Sequence, residues 1–219
     1  MAEWTEKYRP QTLDDIVGQN SIAALKIWAK KEIEDIPNLL LVGPPGTGKT
    51  SAARSFCNDG NFRFEEINSA QYNGKEDIER FEDSFLKYGA GTSEYETDDD
   101  GHSFKSGIFF IFDKAEKMTS TAQDVFEKYL EDGPGTAKAI FIANVTQDKI
   151  SIPLLDRFNK YEFNQIKDED VERLIRSIAK EESLDIPENA VEKIVKDAKG
   201  TPRNAIRYLY DFAVMYRGR

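Results

Sequence analysis

Residues 43–50 carry the residue types that bind a nucleoside triphosphate. They read GPPGTGKT and match the pattern G-x-x-x-x-G-K-[ST] at every fixed position. Glycines let backbone N–H groups turn toward phosphate oxygens, and a helix that starts here adds the positive end of its dipole. Lys49 would reach the β- and γ-phosphates, and the Thr50 hydroxyl would bind Mg²⁺. The predicted contacts from this segment are Gly43, Pro44, Pro45, Gly46, Thr47, Gly48, Lys49, Thr50 and Ser51.

A carboxylate for the same metal ion is predicted at Asp113. Residues 107–112 form a continuous apolar run, which is typical of a central parallel strand, and Asp113 follows them directly. An aspartate at the end of such a strand could hold Mg²⁺ directly or through water, opposite Thr50. The sequence therefore predicts ATP with Mg²⁺ as the bound cofactor, with Thr50 and Asp113 at the metal.

The residue after Asp113 leaves ATP hydrolysis open. In hydrolysing enzymes of this kind a glutamate normally follows the aspartate and polarises the attacking water, but residues 113–116 read DKAE. A lysine ammonium cannot serve as a general base at neutral pH unless its pKa is strongly lowered. Three interpretations stay open: slow hydrolysis of bound ATP, catalysis by Glu116 from a shifted position, or a sequence altered at Lys114.

The elements around these residues alternate between strands and helices up to residue 163. Strands are predicted at 39–42, 62–67, 107–112 and 139–143, and helices at 21–34, 75–88 and 120–131. This alternation predicts an α/β fold with a parallel doubly wound sheet, whose ligands bind at the carboxyl ends of the strands. The acidic segment 91–105 has no apolar periodicity and is predicted to be a mobile loop.

Only helical patterns follow residue 163. Three apolar stripes, within residues 171–178, 191–198 and 205–213, are separated by proline and glycine stops. They predict a small helical bundle. We therefore expect an α/β nucleotide-binding domain over residues 1–165 and a helical lid domain over residues 166–219.

Composition restricts the partners and the compartment. The chain of 219 residues has a formal net charge of −10, which argues against a protein that coats nucleic acid non-specifically. No apolar run is long enough to span a membrane, and the first residues lack the pattern of a signal peptide. The single cysteine, Cys57, is expected to be a buried, reduced thiol in the helix after the phosphate-binding segment. The predicted location is cytoplasmic, or nuclear in a eukaryote, without membrane contact.

Several segments in the same order resemble the AAA+ ATPases, most closely the small subunits of replication factor C type clamp loaders. Residues 6–10 (EKYRP) and 12–19 (TLDDIVGQ) are similar to that family's motif on the adenine side of the nucleotide. Residues 117–123 (KMTSTAQ) resemble its helix start after the magnesium-binding strand. The resemblance covers almost the whole chain.

The resemblance implies roles for further residues. Tyr8, Arg9, Pro10 and Val17 fall in the motif on the adenine side. Asn144 falls on the position of one γ-phosphate sensor and Arg203, in GTPR, on a second. Arg157, in LLDRF, resembles the arginine finger, which stabilises charge on the ATP of a neighbouring subunit. The predicted catalytic residues are Glu116, Asn144, Arg157 and Arg203.

The function implied by the resemblance is that of a clamp-loader subunit. It would bind Mg-ATP between its two domains, assemble with other AAA+ subunits in a ring or arc, and couple ATP binding and hydrolysis to loading of a sliding clamp on primer–template DNA. Two alternatives stay open. One is an ATP-binding assembly subunit with little hydrolysis. The other is a motor similar to those of Holliday-junction branch migration, which residues 156–158 and 200–203 also resemble.

Overall fold

A mostly parallel sheet forms the centre of the N-terminal part of the chain. The computed structural model describes residues 3–70, 95–97, 101–132, 135–144 and 149–217. The strands are β1 (Asn38–Val42), β2 (Phe62–Asn68), β3 (Tyr95–Thr97), β4 (Ser103–Asp113), β5 (Ala137–Ala143) and β6 (Phe158–Glu162). Five strands run parallel in the order β2-β4-β5-β1-β6, and β3 pairs antiparallel with the start of β4. The predicted parallel α/β sheet is confirmed.

Helices cover both faces of this sheet. The first helix along the chain is α1 (Glu3–Lys7). The helices on the sheet are α2 (Ile22–Trp28) and α3 (Lys49–Gly60) on one face and α4 (Ser120–Asp132) and α5 (Ile152–Leu155) on the other, with short 3-10 turns at Leu13–Asp15, Ile33–Asp35 and Ala115–Lys117. Leu39 and Leu41 pack on the α2–α3 side, whereas Leu40 and Val42 pack on the α4 side. Burial on both faces explains why the central strands read as continuous apolar runs. Cys57 is fully buried in α3, as predicted, and burial raises the pKa of its thiol.

Three C-terminal helices form a separate apolar cluster beside the sheet. They are α6 (Asp168–Glu181), α7 (Glu188–Ala198) and α8 (Pro202–Arg217). Trp4 of α1 is buried in the same cluster, with its ring 5.3 Å from that of Tyr210. The first residues therefore pack with the C-terminal helices, and the division of the chain after residue 165 stays a prediction. Among the described residues, no helix has the length and hydropathy of a membrane span.

The structure corrects two of the predicted elements and adds one strand. The helix predicted over 21–34 ends at Trp28, and a 3-10 turn follows at Ile33–Asp35. The segment 91–105 is not a loop throughout, because β3 and the first residues of β4 pair within it. Strand β6 was not predicted: it lies at the sheet edge, and of its residues only Phe158 is buried. The helix predicted over 75–88 lies outside the described residues.

Candidate functional site

A cavity of about 680 Å³ lies between the carboxyl edge of the sheet and the C-terminal helices. The parallel registers place the ends of β1, β4 and β5 side by side, since Val42 is opposite Ala143 and Asp113 is opposite Ile142. Most of the predicted site residues line this cavity. They are Tyr8, Arg9, Pro10, Val17, Pro45, Gly46, Thr47, Gly48, Lys49, Thr50, Ser51, Asp113, Glu116, Asn144 and Arg203. The sequence pattern thus predicted residues that the fold brings together.

The segment 43–50 turns tightly between β1 and α3. Gly43 passes so close to the next segment that a Cβ on it would lie 1.9 Å from the carbonyl oxygen of Phe163. Gly46 has a φ of +78°, and a Cβ there would lie 2.7 Å from Thr201 Cγ2. Neither position can accept a side chain without a shift of the surrounding structure. Although Gly43 and Pro44 belong to this turn, they do not line the cavity.

Lys49 is the buried cation of the site. Its Nζ donates to the carbonyl oxygens of Gly43 at 2.6 Å and Pro44 at 2.8 Å, and the residue is 6% exposed. Burial lowers the pKa of Lys49 to about 8; the negative charges of Asp113 and Glu116 oppose this shift, and Arg203 adds to it. An ammonium in this environment would gain from a bound anion, because no carboxylate pairs with it directly among the described residues.

The proposed metal ligands lie on the cavity wall. Asp113 ends β4, and its Oδ1 accepts the backbone N–H of Lys114 at 2.9 Å. A carboxylate and a hydroxyl, from Asp113 and Thr50, are oxygen donors of the kind Mg²⁺ requires. No group of three or more His, Cys, Asp or Glu residues that could hold a metal occurs in the described part of the chain. These donors therefore fit a Mg²⁺ that takes its other ligands from phosphates and water.

Lys114 lies at the same edge of the cavity as Asp113. It adopts a left-handed backbone conformation, with φ 58° and ψ 44°, immediately before the 3-10 turn Ala115–Lys117. Its side chain is exposed, whereas Ala115 and Glu116 are buried. A cation rather than a carboxylate therefore follows Asp113 along the wall, as the sequence indicated.

Glu116 and Asn144 form a hydrogen-bonded pair. Asn144 Nδ2 donates to Glu116 Oε1 at 2.7 Å, and the Asn144 backbone N–H donates to Oε2 at 3.3 Å. Glu116 is 5% exposed. Both carboxylate oxygens are thus engaged by a single residue at the end of β5.

The C-terminal helices close the cavity over the phosphate-binding turn. Arg203, in the first turn of α8, has its backbone N 3.5 Å from the carbonyl oxygen of Gly46. Its charge contributes to the lowered pKa of Lys49, so the two cations lie near one another. Arg203 is therefore placed where it could contact a phosphate bound by residues 43–50.

The N-terminal segment forms another wall of the cavity. Tyr8 donates its hydroxyl to Glu182 at 2.8 Å, and burial raises the pKa of that hydroxyl. Arg9 pairs with Glu6 at 2.6 Å. The Pro10 carbonyl accepts the Ser55 hydroxyl at 3.3 Å. These contacts hold the segment between the C-terminal helices and α3.

Gln19 was not predicted as a site residue. It is 9% exposed, and its Nε2 donates to the carbonyl oxygens of Thr47 at 3.2 Å and Asn164 at 2.7 Å. Its Oε1 accepts the backbone N–H of Asn164 at 3.1 Å. Gln19 thereby joins the phosphate-binding turn to the connection between β6 and α6. Its place in the TLDDIVGQ motif was the available signal, but the sequence does not show what its amide contacts.

The C-terminal helices also contribute cavity residues that were not predicted. They are Arg173, Leu174, Ser177, Ile178, Glu181, Pro202 and Ile206. The sequence partly indicated two of them, because Leu174 and Ile178 belong to the apolar stripe of α6. Periodicity alone indicates a buried face and does not distinguish packing from ligand contact.

Arg157 lies away from the cavity. It comes directly before β6, whose first residue Phe158 pairs with Asn38 at the start of β1, at the opposite edge of the sheet from the phosphate-binding turn. Its Nη2 lies 3.0 Å from Oε1 of Glu131 on α4. The structure therefore does not bring Arg157 to the chain's own site, and its action on a neighbouring subunit stays a prediction.

Comparisons with known proteins found a matching family and several relatives. Residues 39–166 match the family described as "ATPase family associated with various cellular activities (AAA)". Replication factor C subunit 4 of Homo sapiens is 32% identical over 94% of this chain and 57% of its own length. The replication factor C small subunit of Staphylothermus marinus is 34% identical over 97% of this chain and 62% of its own length. The chain thus spans about three fifths of these relatives.

A solved structure shares the fold. The Holliday junction branch migration motor RuvB of Thermotoga maritima superposes with a TM-score of 0.74 at 21% identity, over 93% of this chain and 64% of that one. At this level of identity the likeness concerns architecture. It agrees with a parallel sheet followed by helices at the carboxyl edge.

Proposed function

This chain belongs to the AAA family of ATPases, and we propose that it binds Mg-ATP in the cavity between the sheet edge and the C-terminal helices. One observation carries the proposal: the fold brings Lys49, Thr50, Asp113, Asn144 and Arg203 to the wall of one cavity. The volume of about 680 Å³ lies within the usual range for small-molecule sites.

Each of these residues has a role suited to its chemistry. Lys49 binds the β- and γ-phosphates, whose negative charge favours its buried ammonium; in the described part of the chain, Nζ donates only to backbone carbonyl oxygens. Thr50 and Asp113 hold Mg²⁺, which when bound neutralises charge on the phosphates. Asn144 and Arg203 contact the terminal phosphate from the two sides of the cavity. Tyr8, Arg9, Pro10 and Val17 form the wall on the adenine side.

The wider function that we propose is that of a clamp-loader subunit. Relatives named as replication factor C subunits match nearly the whole of this chain at 32–34% identity. We expect the protein to assemble with other AAA+ subunits in a ring or arc, and to act with a sliding clamp on primer–template DNA. Arg157 would then serve the ATP of the next subunit. The expected location is the cytoplasm, or the nucleus in a eukaryote.

Hydrolysis by the chain alone is proposed to be slow. A cation, Lys114, follows Asp113, and the buried carboxylate of Glu116 is held by two hydrogen bonds from Asn144. A general base must direct a lone pair at the attacking water. Each oxygen of Glu116 keeps a further lone pair, but the bonds from Asn144 hold the carboxylate against the end of β5. Bound ATP would therefore persist long enough to act as an assembly signal.

Phosphate release by matched variants tests this proposal. We expect low turnover by the purified chain, a rise of at least roughly tenfold in Lys114→Glu, which restores a carboxylate beside Asp113, and little change in Lys114→Gln. Lys49→Ala gives the background rate of phosphate release, because it removes the phosphate-binding cation. Fast turnover by the unaltered chain that is lost in Glu116→Gln would contradict the proposal and favour Glu116 as the base.

Assembly and clamp loading need a separate experiment. Light scattering with and without Mg-ATP should show a mass increase when the partner subunits are present. Clamp and primer–template DNA should then stimulate phosphate release by that assembly. Unwinding of branched DNA without any clamp would instead assign the chain to branch migration.

A further inference from the structure

The Glu116–Asn144 pair has a geometry that the motif pattern does not predict. We propose that Glu116 is a positioning residue that fixes the side-chain amide of Asn144 at the nucleotide site. The inference rests on the proposed function, because it concerns how the same cavity distinguishes ATP from ADP. It also replaces the predicted role of Glu116 as a shifted base.

The turn that carries Glu116 is held firmly. The backbone N–H of Lys117 donates to the Lys114 carbonyl at 2.8 Å, and that of Met118 donates to the Ala115 carbonyl at 3.1 Å. Ala115 and Met118 are buried in the core on the α4 side of the sheet. The backbone of Glu116 is therefore held in place, and its carboxylate lies at the cavity wall against the end of β5.

A carboxylate at this place dictates the orientation of the Asn144 amide. An ionised carboxylate only accepts hydrogen bonds, so it must face the Nδ2 of Asn144 and not the Oδ1. The 2.7 Å contact from Nδ2 fixes the Asn144 side chain, and the 3.3 Å contact from the Asn144 backbone N–H fixes the second oxygen of the same carboxylate. Bonds to a charged acceptor are stronger than those between neutral groups, and burial strengthens them further. Among the described residues, no other contact engages the second amide hydrogen or the Oδ1 of Asn144, which could therefore face a ligand.

The location of Asn144 makes this orientation relevant to the terminal phosphate. Asn144 directly follows Ala143, whose carbonyl oxygen accepts the N–H of Gly43 at 3.3 Å. It lines the cavity beside Asp113 and Lys49. Glu116 also lies near enough to Lys49 for its charge to oppose the lowering of that lysine's pKa. The pair is therefore at the phosphate end of the site.

A double-mutant cycle on nucleotide discrimination tests the inference. The quantity measured is the ratio of the dissociation constants for Mg-ADP and Mg-ATP, in the unaltered chain, Glu116→Ala, Asn144→Ala and the double variant. We expect each single change to lower the preference for ATP by roughly tenfold, which is the scale of one charge-assisted hydrogen bond. We expect the double variant to lose no more than Asn144→Ala alone, because Glu116 acts through Asn144.

Two results would overturn the inference. An unchanged ratio in Glu116→Ala would reduce Glu116 to a purely structural residue, and additive losses in the double variant would show that it acts independently of Asn144. Lys117→Ala is the matched control, because its side chain lies on the same turn but is exposed. If Glu116→Ala does not fold, Glu116→Gln replaces it in the cycle. It keeps the side chain's size but presents an amide donor to one of the two N–H groups.

Failure of the inference and failure of the proposed function can be distinguished. If the unaltered chain does not bind ATP, or binds it as tightly after Lys49→Ala, the proposed nucleotide site is wrong. If ATP binding depends on Lys49 but the ADP/ATP ratio is insensitive to Glu116, only the positioning role is wrong.

Discussion

Two lysines at the phosphate end of the cavity have opposite environments. Lys49 is buried within its own turn and donates to two carbonyl oxygens, so its ammonium is costly to keep charged until an anion arrives. Lys114 is exposed on a left-handed turn. We therefore expect Lys49 to couple nucleotide affinity to protonation, whereas Lys114 occupies the position after Asp113 at which a carboxylate could act as a base.

The pKa of Lys49 predicts a pH dependence of ATP binding. In the free protein this pKa is about 8, compared with 10.5 for an ordinary lysine. Bound phosphates favour the charged form and raise the pKa, so binding takes up a proton above about pH 8. Below that pH, the titration of Lys49 should not change the affinity for ATP. Above it, the affinity should weaken by up to roughly tenfold per pH unit.

Titrations with Mg-ATP between about pH 6.5 and 9.5 measure this effect. Lys49→Arg is the control, because a guanidinium stays charged throughout the range and should give a flat profile. A flat profile in the unaltered chain would show that Lys49 does not titrate at the site.

Gly46 provides a prediction at a single backbone position. Gly46→Ala places a methyl group where φ is +78° and where Thr201 Cγ2 is 2.7 Å away. We expect a loss of stability of about 1 kcal/mol from the backbone conformation, and weaker ATP binding because the turn and α8 are forced apart. Gly101→Ala is the control. Gly101 has a similar backbone conformation, with φ +85°, but no atom lies within 4 Å of the added Cβ. Equal ATP affinity in both variants would contradict the proposed contact between the turn and α8.

Among the elements, α1 links the first residues to the C-terminal helices. Trp4 is 5% exposed and packs its ring edge-on against Tyr8, at 5.9 Å, and Tyr210, at 5.3 Å. Tyr8 is in turn hydrogen-bonded to Glu182. The segment that carries Tyr8, Arg9 and Pro10 to the cavity is thus anchored on α8 and on the residue that follows α6.

Removal of the Trp4 ring should therefore affect both stability and binding. We expect Trp4→Ala to lower the free energy of unfolding by about 3 kcal/mol, since it removes a large buried ring. ATP affinity should also fall, because the adenine-side segment loses its anchor. Ile27→Ala is the control, because Ile27 is 61% exposed on α2. Urea unfolding measures the first effect, and a Trp4→Ala chain as stable as the Ile27→Ala chain would contradict the packing.

Sequence patterns predicted the elements whose burial is strongest. Continuous apolar runs located β1, β4 and β5, because these strands are covered on both faces. The edge strand β6 was not predicted from the sequence, because its residues FNKYE are mostly polar and only Phe158 is buried. The motif likewise located Lys49 and Thr50, whose places follow from the local strand–turn–helix order, and the apolar run of β4 located Asp113 at its end. The bonds of Glu116 and Gln19 could not be predicted, because their partners come from segments 28 and 145 residues distant.

At the scale of the whole molecule, the cavity and Arg157 lie at opposite edges of the sheet. The cavity lies at the carboxyl ends of the strands, and Arg157 directly precedes β6 at the amino ends, paired with Glu131. Within one chain, Arg157 therefore does not line the cavity. This polarity suits an arrangement in which each subunit presents Arg157 to the cavity of the next.

Arg157→Ala should separate binding from assembly-dependent hydrolysis. The isolated variant should bind Mg-ATP with unchanged affinity, because Arg157 is absent from the cavity wall. In the assembly, hydrolysis at the neighbouring subunit should fall by roughly a hundredfold or more, as for other arginine fingers. Phosphate release by mixed assemblies measures this loss. Weakened binding by the isolated chain would place Arg157 at its own site and contradict the predicted role.

Calorimetric titration of the purified chain with Mg-ATP shows whether this cavity binds a nucleotide. We expect one nucleotide per chain, and a loss of affinity of at least roughly tenfold in Lys49→Ala, which removes the buried cation from the phosphate-binding turn. Absence of binding at millimolar ATP, or equal affinity in Lys49→Ala, would contradict the assignment of this cavity as a nucleotide site.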